Sequence, residues 1–301
     1  MMQVDGRQIT ARTWRGMAMT TGVLTAMLLN SACAPVSAKA DGAEATSEAV
    51  PMKSAPCVKA IPKPYKWEGY NDQLKDACVG PTHFRFPANM FRDQMGPDFQ
   101  GNFTLVLMWP DLQPAEPGKL NGQPFDQVMA RVQISPDYVD RVPIETLLER
   151  FTHMTYGGDS ERDPSSVLAL RDPQADRFGL TPYYVNARRF EDFQTEQNRR
   201  LGMKGRGKVE NTRDWYLRRD DAGRLTTFIR CDSHLEPDGY TARNGTLVKN
   251  PNERTNAQCV HHFVLEDIKA DVSIYYPRAL LGEWKRFEER ARTMLVESRV
   301  P

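Results

Sequence analysis

The sequence predicts an α+β fold in which amphipathic helices, one of them C-terminal, pack on a mainly antiparallel sheet. Three observations carry that expectation. Segments of period-two alternation outnumber helical ones, 21 prolines and 20 glycines are spread along the 301 residues without a repeat, and the chain closes on an apolar stripe at helical spacing. With 40% hydrophobic and 26% charged residues there is apolar material for a packed core of one large or two small domains. A formal net charge of +1 gives no general reason to expect a polyanionic partner.

At the N-terminus, Arg7, Arg12 and Arg15 precede the apolar run 17–29 (MAMTTGVLTAMLL), which leads into Asn30, Ser31, Ala32 and Cys33. That charged, apolar, small order belongs to an export signal, and the run falls short of the about 20 residues a spanning helix needs. The context LLNSAC resembles a bacterial lipobox, in which the cysteine is acylated and the peptide before it removed. Asn30 stands where that pattern usually has Leu. An ordinary signal peptide cut nearby, leaving Cys33 as an odd thiol, is the alternative. Ala34 after the cysteine, in place of Asp, implies sorting of a lipoprotein to the outer membrane. The chain thus divides into a lipoprotein signal peptide 1–32, a disordered tether 33–56 rich in Ala, Ser, Pro and Glu, and a periplasmic body 57–301. Without residues 1–32 it carries 37 basic and 38 acidic side chains, which argues against electrostatic capture of nucleic acid and leaves the lipid as the contact with membrane.

Four cysteines remain in the body, Cys57, Cys78, Cys231 and Cys259. An even count in an exported chain is most simply two disulfides; three connectivities are possible, and sequence proximity favours Cys57–Cys78 and Cys231–Cys259.

Along the body, Phe103, Leu105, Leu107 and Trp109 alternate with Thr104, Val106 and Met108, a strand buried on both faces that stops at Pro110. Val128, Ala130, Val132 and Ile134 alternate with Met129, Arg131 and Gln133, the pattern of a half-exposed strand. Ile144, Leu147, Leu148 and Phe151 follow Pro143 at helical spacing. Residues 215–218 and 225–231 flank the turn residues 220–223 (DDAG) and read as a hairpin, with two more strands at 259–265 and 270–276. The closing helix, about 279–296, aligns Leu280, Trp284, Phe287, Ala291 and Leu295 opposite charged residues and should dock on a sheet face. Segments 132–151 and 272–287 both run from an alternating strand through a proline to an amphipathic helix. A diverged duplication with halves at about 80–175 and 176–301 would look this way, and so would two ordinary ββα units.

The chemical signatures are mostly negative. No G-x-S-x-G elbow and no H-E-x-x-H occur. Residues 202–209 (GMKGRGKV) fit seven positions of a phosphate loop and fail at the eighth, where Val209 replaces the hydroxyl that would hold Mg²⁺. Cys231 and His234 with Cys259, His261 and His262 have the composition of a zinc set, but an oxidising compartment favours the disulfide, and His261 and His262 on one strand point to opposite faces. No cofactor, no metal and no catalytic residue is therefore expected, although a site assembled from distant positions leaves no such signature. What remains are polar loops bearing aromatic, Met and Arg side chains, the composition of interface anchors. The candidates are Asp93, Met95, Asp98 and Phe99 in 92–101, Tyr156 and Asp159 in 154–160, and Tyr240 and Arg243 in 240–247.

Residues 86–91 (FPANMF), 93–102 (DQMGPDFQGN), 107–111 (LMWPD), 140–150 (DRVPIETLLER), 223–229 (GRLTTFI), 276–279 (YPRA) and 284–290 (WKRFEER) resemble a group of proteobacterial lipoproteins. Those proteins accompany toxic effectors of contact-dependent secretion systems, and the likeness covers most of 80–295. The resemblance implies a periplasmic immunity protein that binds and blocks a toxic effector, such as a type VI lipase effector, by stoichiometric occlusion and not by turnover. An envelope hydrolase and a structural lipoprotein of an envelope assembly are the alternative classes.

Overall fold

Val79, Gly80, Pro81 and Thr82 let the chain reverse between two short apolar runs, so Leu74–Val79 (β1) and Thr82–Pro87 (β2) pair antiparallel as a separate hairpin. In this computed structural model the described residues are Cys57 and 71–301, apart from Gln94, Met95, Phe99, Thr155, Tyr156 and Arg206. The expected signal peptide, Cys33 and tether lie outside them. Phe84 and Phe86 of β2 meet Phe91 and Phe103 in one aromatic cluster, with ring centroids 5.1–6.2 Å apart. Phe103 is thereby committed to packing, and the strand expected over 103–109 pairs only at Leu105–Met108 (β3).

Residues 128–134 do not form one strand. Pro124 caps a single helical turn, Phe125–Met129 (α1), and pairing begins at Arg131–Tyr138 (β4), where Val132, Ile134 and Pro136 turn inward. After Pro143 the chain takes one 3₁₀ turn, Ile144–Thr146, and then the short helix Leu147–Phe151 (α2). Asp172–Pro173 (β5) and Thr181–Tyr184 (β6) follow, then Ala187–Leu201 (α3), a helix not expected from periodicity. Asn186 caps it by accepting the Arg189 N–H, Gly202 ends it in the left-handed region, and Phe190 is its one buried residue.

The second half follows the expected hairpin, Arg213–Arg219 (β7) with Leu225–Asp232 (β8), and the two further strands expected, Gln258–Leu265 (β11) and Ala270–Pro277 (β12), pair with each other antiparallel. The segment joining β8 to β11 carries its own hairpin, Tyr240–Arg243 (β9) and Thr246–Lys249 (β10). The last element starts as a 3₁₀ segment, Arg278–Glu283, and continues as the helix Trp284–Glu297 (α4). Eight strands make one antiparallel sheet in the order β3–β4–β12–β11–β8–β7–β6–β5. No helix among the described residues is long and apolar enough to cross a membrane.

The fold is therefore α+β and antiparallel, as expected, and the two faces of the sheet are filled differently. On one face α4 lays Leu280, Trp284, Phe287, Ala291 and Leu295, each 0–1% exposed, against Ile134, Ile229, Phe263, Val272 and Ile274. Each large side chain buried this way contributes roughly 1.5–3 kcal/mol. On the other face α2 covers Trp215, Leu217 and Phe228. Both expected disulfides are present, Cys57–Cys78 and Cys231–Cys259, the latter joining directly opposed residues of β8 and β11. Loops of 21 and 28 residues closed in this way each gain about 3 kcal/mol in the chain-entropy model.

One polar network lies inside the helix-covered face. The fully buried His261 donates its Nε2–H to Glu288 Oε2 at 3.0 Å, and Arg292 holds the other carboxylate oxygen at 2.7 and 2.9 Å. Among the described residues Nδ1 of His261 has no hydrogen-bond partner, an arrangement tolerable for a neutral ring's lone pair and costly for an N–H. Burial lowers the His261 pKa below 6.5 accordingly. Burial also pushes Glu288 upward, but the hydrogen bonds from His261 and Arg292 and the charge of Arg292 outweigh it and hold the carboxyl below 4.5. Both shifts leave the unfolded chain with more bound protons than the folded one, His261 as pH falls below 6.5 and Glu288 below 4.5. Against the opposite contribution of the raised carboxyls of Asp214 and Asp238, the His261–Glu288 pair should lower stability on acidification, read as a larger fall in urea midpoint from pH 7 to pH 5 in the wild type than in a chain without the His261 ring. His261→Gln should flatten that dependence, and an unchanged pH profile in the variant would contradict the assignment.

Candidate functional site

Two concave surfaces flank the β6–β8 end of the sheet. The first, of about 340 Å³, lies between the 177–180 turn, the β9 edge and the 278–282 segment, with Tyr216, His234 and Asp238 in its walls. Its walls are built by tying the long segment between Cys231 and Cys259 to the sheet. Asp214 on β7, 1% exposed, accepts the His234 backbone N–H at 2.6 Å and bonds its ring Nδ1 at 2.8 Å. The same ring stacks on Tyr184 at 3.9 Å between centroids. Burial raises the Asp214 pKa; the His234 bonds and the charge of Arg171 work against that rise.

Arg278, just after β12, gathers the start of the same segment. Its guanidinium donates to Asp232 O at 3.0 Å, to Glu236 O at 2.6 Å and to Ser233 O, and its Nε lies 3.4 Å from Asp238. Burial pushes the Asp238 carboxyl up, with the Tyr240 N–H and Arg278 opposing. Further along, Gly239 donates to Thr255 O at 2.8 Å, and a Cβ there would sit 2.3 Å from that oxygen, so only glycine allows the approach. The Tyr240 hydroxyl donates to Asp126 Oδ1 at 2.7 Å, fastening β9 to α1. A surface held at this many points is rigid, and rigid walls bind with little ordering cost.

The second concavity, about 410 Å³, lies between α3, the 154–166 segment and the 207–213 segment, over Trp215 and Arg230. Arg171 stacks 3.7 Å from the Trp215 ring and donates to the carbonyls of Ser165 and Arg213, which fixes its rim. Burial brings the Arg171 pKa down to about 9.

The residues singled out from the sequence fall in three separate neighbourhoods. Asp98 spends its carboxylate on the Gln100 and Asn102 N–H groups at 2.8 and 2.9 Å, shaping its own loop, while Asp93 is exposed beside Arg92. Asp159 pairs with Arg200 of α3, near the second concavity. Tyr240 is 2% exposed and lines the first, where it acts as a brace and not as an exposed anchor, and Arg243 is exposed at the end of β9. Met95, Phe99 and Tyr156 lie outside the described residues. The loop 92–101 bonds instead to Thr104 and Cys78. Arg278 and Phe178 were not among the contact candidates read from the sequence, and His234 was weighed there only as a member of the zinc-like set; the Phe178-Gly179 pair alone carried a local turn signal. Among the described residues no group of three or more His, Cys, Asp or Glu side chains converges as a metal site.

Fold and surface together define a disulfide-braced α+β domain with rigid concave walls. No family model and no curated protein matches the chain. Among solved structures it is similar to Smlt3025, an immunity protein of the Stenotrophomonas maltophilia type IV secretion system, with 34% sequence identity and a TM-score of 0.68. The match covers 77% of this chain and 95% of that one. The chain belongs to the family of that immunity protein.

The clasp on the 232–257 segment makes a prediction. Asp214→Ala removes the acceptor of two His234 donors without overpacking the site, which should cost about 1–3 kcal/mol. Amide hydrogen exchange should accelerate at His234 and through 235–250 while β11 and β12 stay protected. Uniform loss of protection across the sheet would mean that Asp214 holds the core and not the segment.

Proposed function

We propose that this protein is a periplasmic immunity protein, held at the outer membrane by a lipid on Cys33, that binds a toxic effector of a type IV secretion system and blocks it by occlusion. The observation that carries the reading is the likeness to Smlt3025, at 34% identity over 95% of that chain. It favours a type IV effector over the type VI lipase effector that the sequence motifs implied. Two disulfides suit an oxidising compartment. The braced walls of the first concavity suit a binder, since an interface of standard size, about 1,600 Å², needs preformed complementary shape more than chemistry. Asp93, Asp98, Asp159 and Arg243, with Met95, Phe99 and Tyr156, remain as contact residues of this proposal.

Titration is the direct test. Added to the effector encoded beside it, the full chain should reduce toxic activity linearly and abolish it near a fixed molar ratio. Complete loss at a small fraction of that ratio would mean turnover, and no loss at any ratio would remove the reading. The anchor is checked separately by mass spectrometry of the mature N-terminus. An acylated Cys33 is expected, and an unmodified terminus elsewhere contradicts it.

A further inference from the structure

Arg177 and Leu180 bond each other through both backbone groups, Arg177 N–H to Leu180 O at 2.8 Å and Leu180 N–H to Arg177 O at 3.0 Å. The two residues between them, Phe178 and Gly179, both have left-handed φ, 59° and 76°. This is the φ signature of a type I′ turn, which favours Asn-Gly. The β9–β10 hairpin has the same signature at Asn244 and Gly245, φ 48° and 73°, and carries that favoured pair. At the first turn the chain instead places a bulky aromatic where Cβ is disfavoured, and leaves it 48% exposed. Strain held at a position whose ring is half exposed is a pointer to function.

The turn is fixed from beneath. Trp284, 1% exposed, donates its indole N–H to Phe178 O at 3.0 Å, and a Cβ on Gly282 would lie 3.4 Å from the Phe178 ring. Cations surround it. Arg177 lies 5.0 Å from the Phe178 ring centroid, Lys285 and Arg218 lie 5.6 and 5.7 Å from that of Trp284, and Lys285 Nζ would be 3.4 Å from a Cβ on Gly179. All three are exposed, and among the described residues none of them forms an ion pair. An exposed aromatic with Arg177 on its ring, on a turn seated on Trp284 beside Lys285 and Arg218, all three cations without carboxylate partners among the described residues, is complementary to an acidic segment that also offers an apolar side chain.

We propose that the Phe178 turn anchors the partner interface and that its occupant is an acidic segment of the effector, packing an apolar side chain on the Phe178 ring among Arg177, Arg218 and Lys285. This rests on the immunity reading and names the chemistry of the partner.

The test uses the full chain and the effector of the titration above, with affinity measured by calorimetry at 50 and 300 mM salt. Phe178→Asn keeps the turn that Asn244-Gly245 exemplifies and removes the ring. It should melt no lower than the wild type and bind about 30-fold more weakly, as expected for a true anchor. The triple variant Arg177→Glu, Arg218→Glu, Lys285→Glu should bind at least as weakly, and wild-type affinity should fall with salt. If the wild type binds and both variants match it, the Phe178 anchor is wrong and the immunity reading stands. If the wild type does not bind, both fall. Loss of a free-chain dimer in Phe178→Asn by sedimentation, with effector binding intact, would assign the patch to a second copy. Loss of binding to phosphatidylglycerol vesicles in the triple variant, again with effector binding intact, would assign it to a membrane surface. Either result overturns the proposal.

Discussion

Trp284 has to bury a large ring and still satisfy one N–H, and the fold meets both demands at a single place. The ring sits at the head of the α4 stripe, 1% exposed, where helix and sheet close over it. Its N–H finds a carbonyl on the far side of the 177–180 turn. A buried indole without that partner would lose roughly 1–3 kcal/mol, so the position of the turn is coupled to the packing of the helix. Core and surface are joined there by one hydrogen bond. The cations at Arg218 and Lys285 stand on the same ring from outside. The shape of this corner of the molecule therefore depends on the docking of α4 more than on the loops that decorate it.

The polar groups inside the sheet follow a related economy. His261 and His262 are consecutive on β11 and face opposite ways, one to Glu288 beneath α4 and one to Asp271 and Ser273 beneath α2. Each finds a carboxylate, and each carboxylate is held in turn by a helix or strand already committed to the core. Such networks favour one packing arrangement over others only when their members are satisfied. The cross-strand Cys231–Cys259 pair sits two residues from His261 on the same face of β11, so the covalent link and the network constrain the same stretch of sheet.

Elements that bury apolar residues at a regular period were legible in the sequence. The stripe from Leu280 to Leu295 and the strands at β7, β8, β11 and β12 needed nothing beyond spacing. What was not legible lacked that regularity. In α3 only Phe190 is buried, and its start and end are written in Asn186 and Gly202, polar cap signals that periodicity does not count. At 128–134 alternation and a helical turn compete for the same residues, and Pro124 decided between them. The concave surface was hidden for a different reason. It is made by Asp214, His234 and Arg278, separated by up to 64 residues, whose hydrogen bonds to backbone leave no pattern in the chain. Tyr240 looked like an anchor because it is aromatic in a polar loop; its hydroxyl bond to Asp126, 114 positions away, makes it a brace.

A chain that is close to neutral overall gains little long-range attraction for any partner. Local charge can still select one, provided that the charges are not already spent on internal pairs. Several surface arginines here are spent on internal pairs, Arg199, Arg200, Arg219, Arg224, Arg286 and Arg292 among them. Those pairs contribute little stability individually, yet they mask charge, and three of the cations left unmasked, Arg177, Arg218 and Lys285, gather around one turn. Electrostatic discrimination then comes from where pairing is missing and not from net charge. Combined with an aromatic ring held outward by a backbone the residue itself disfavours, the arrangement concentrates both attraction and shape at a point the core keeps rigid. An inhibitor that works by occlusion needs that combination, because its whole effect is the lifetime of one complex.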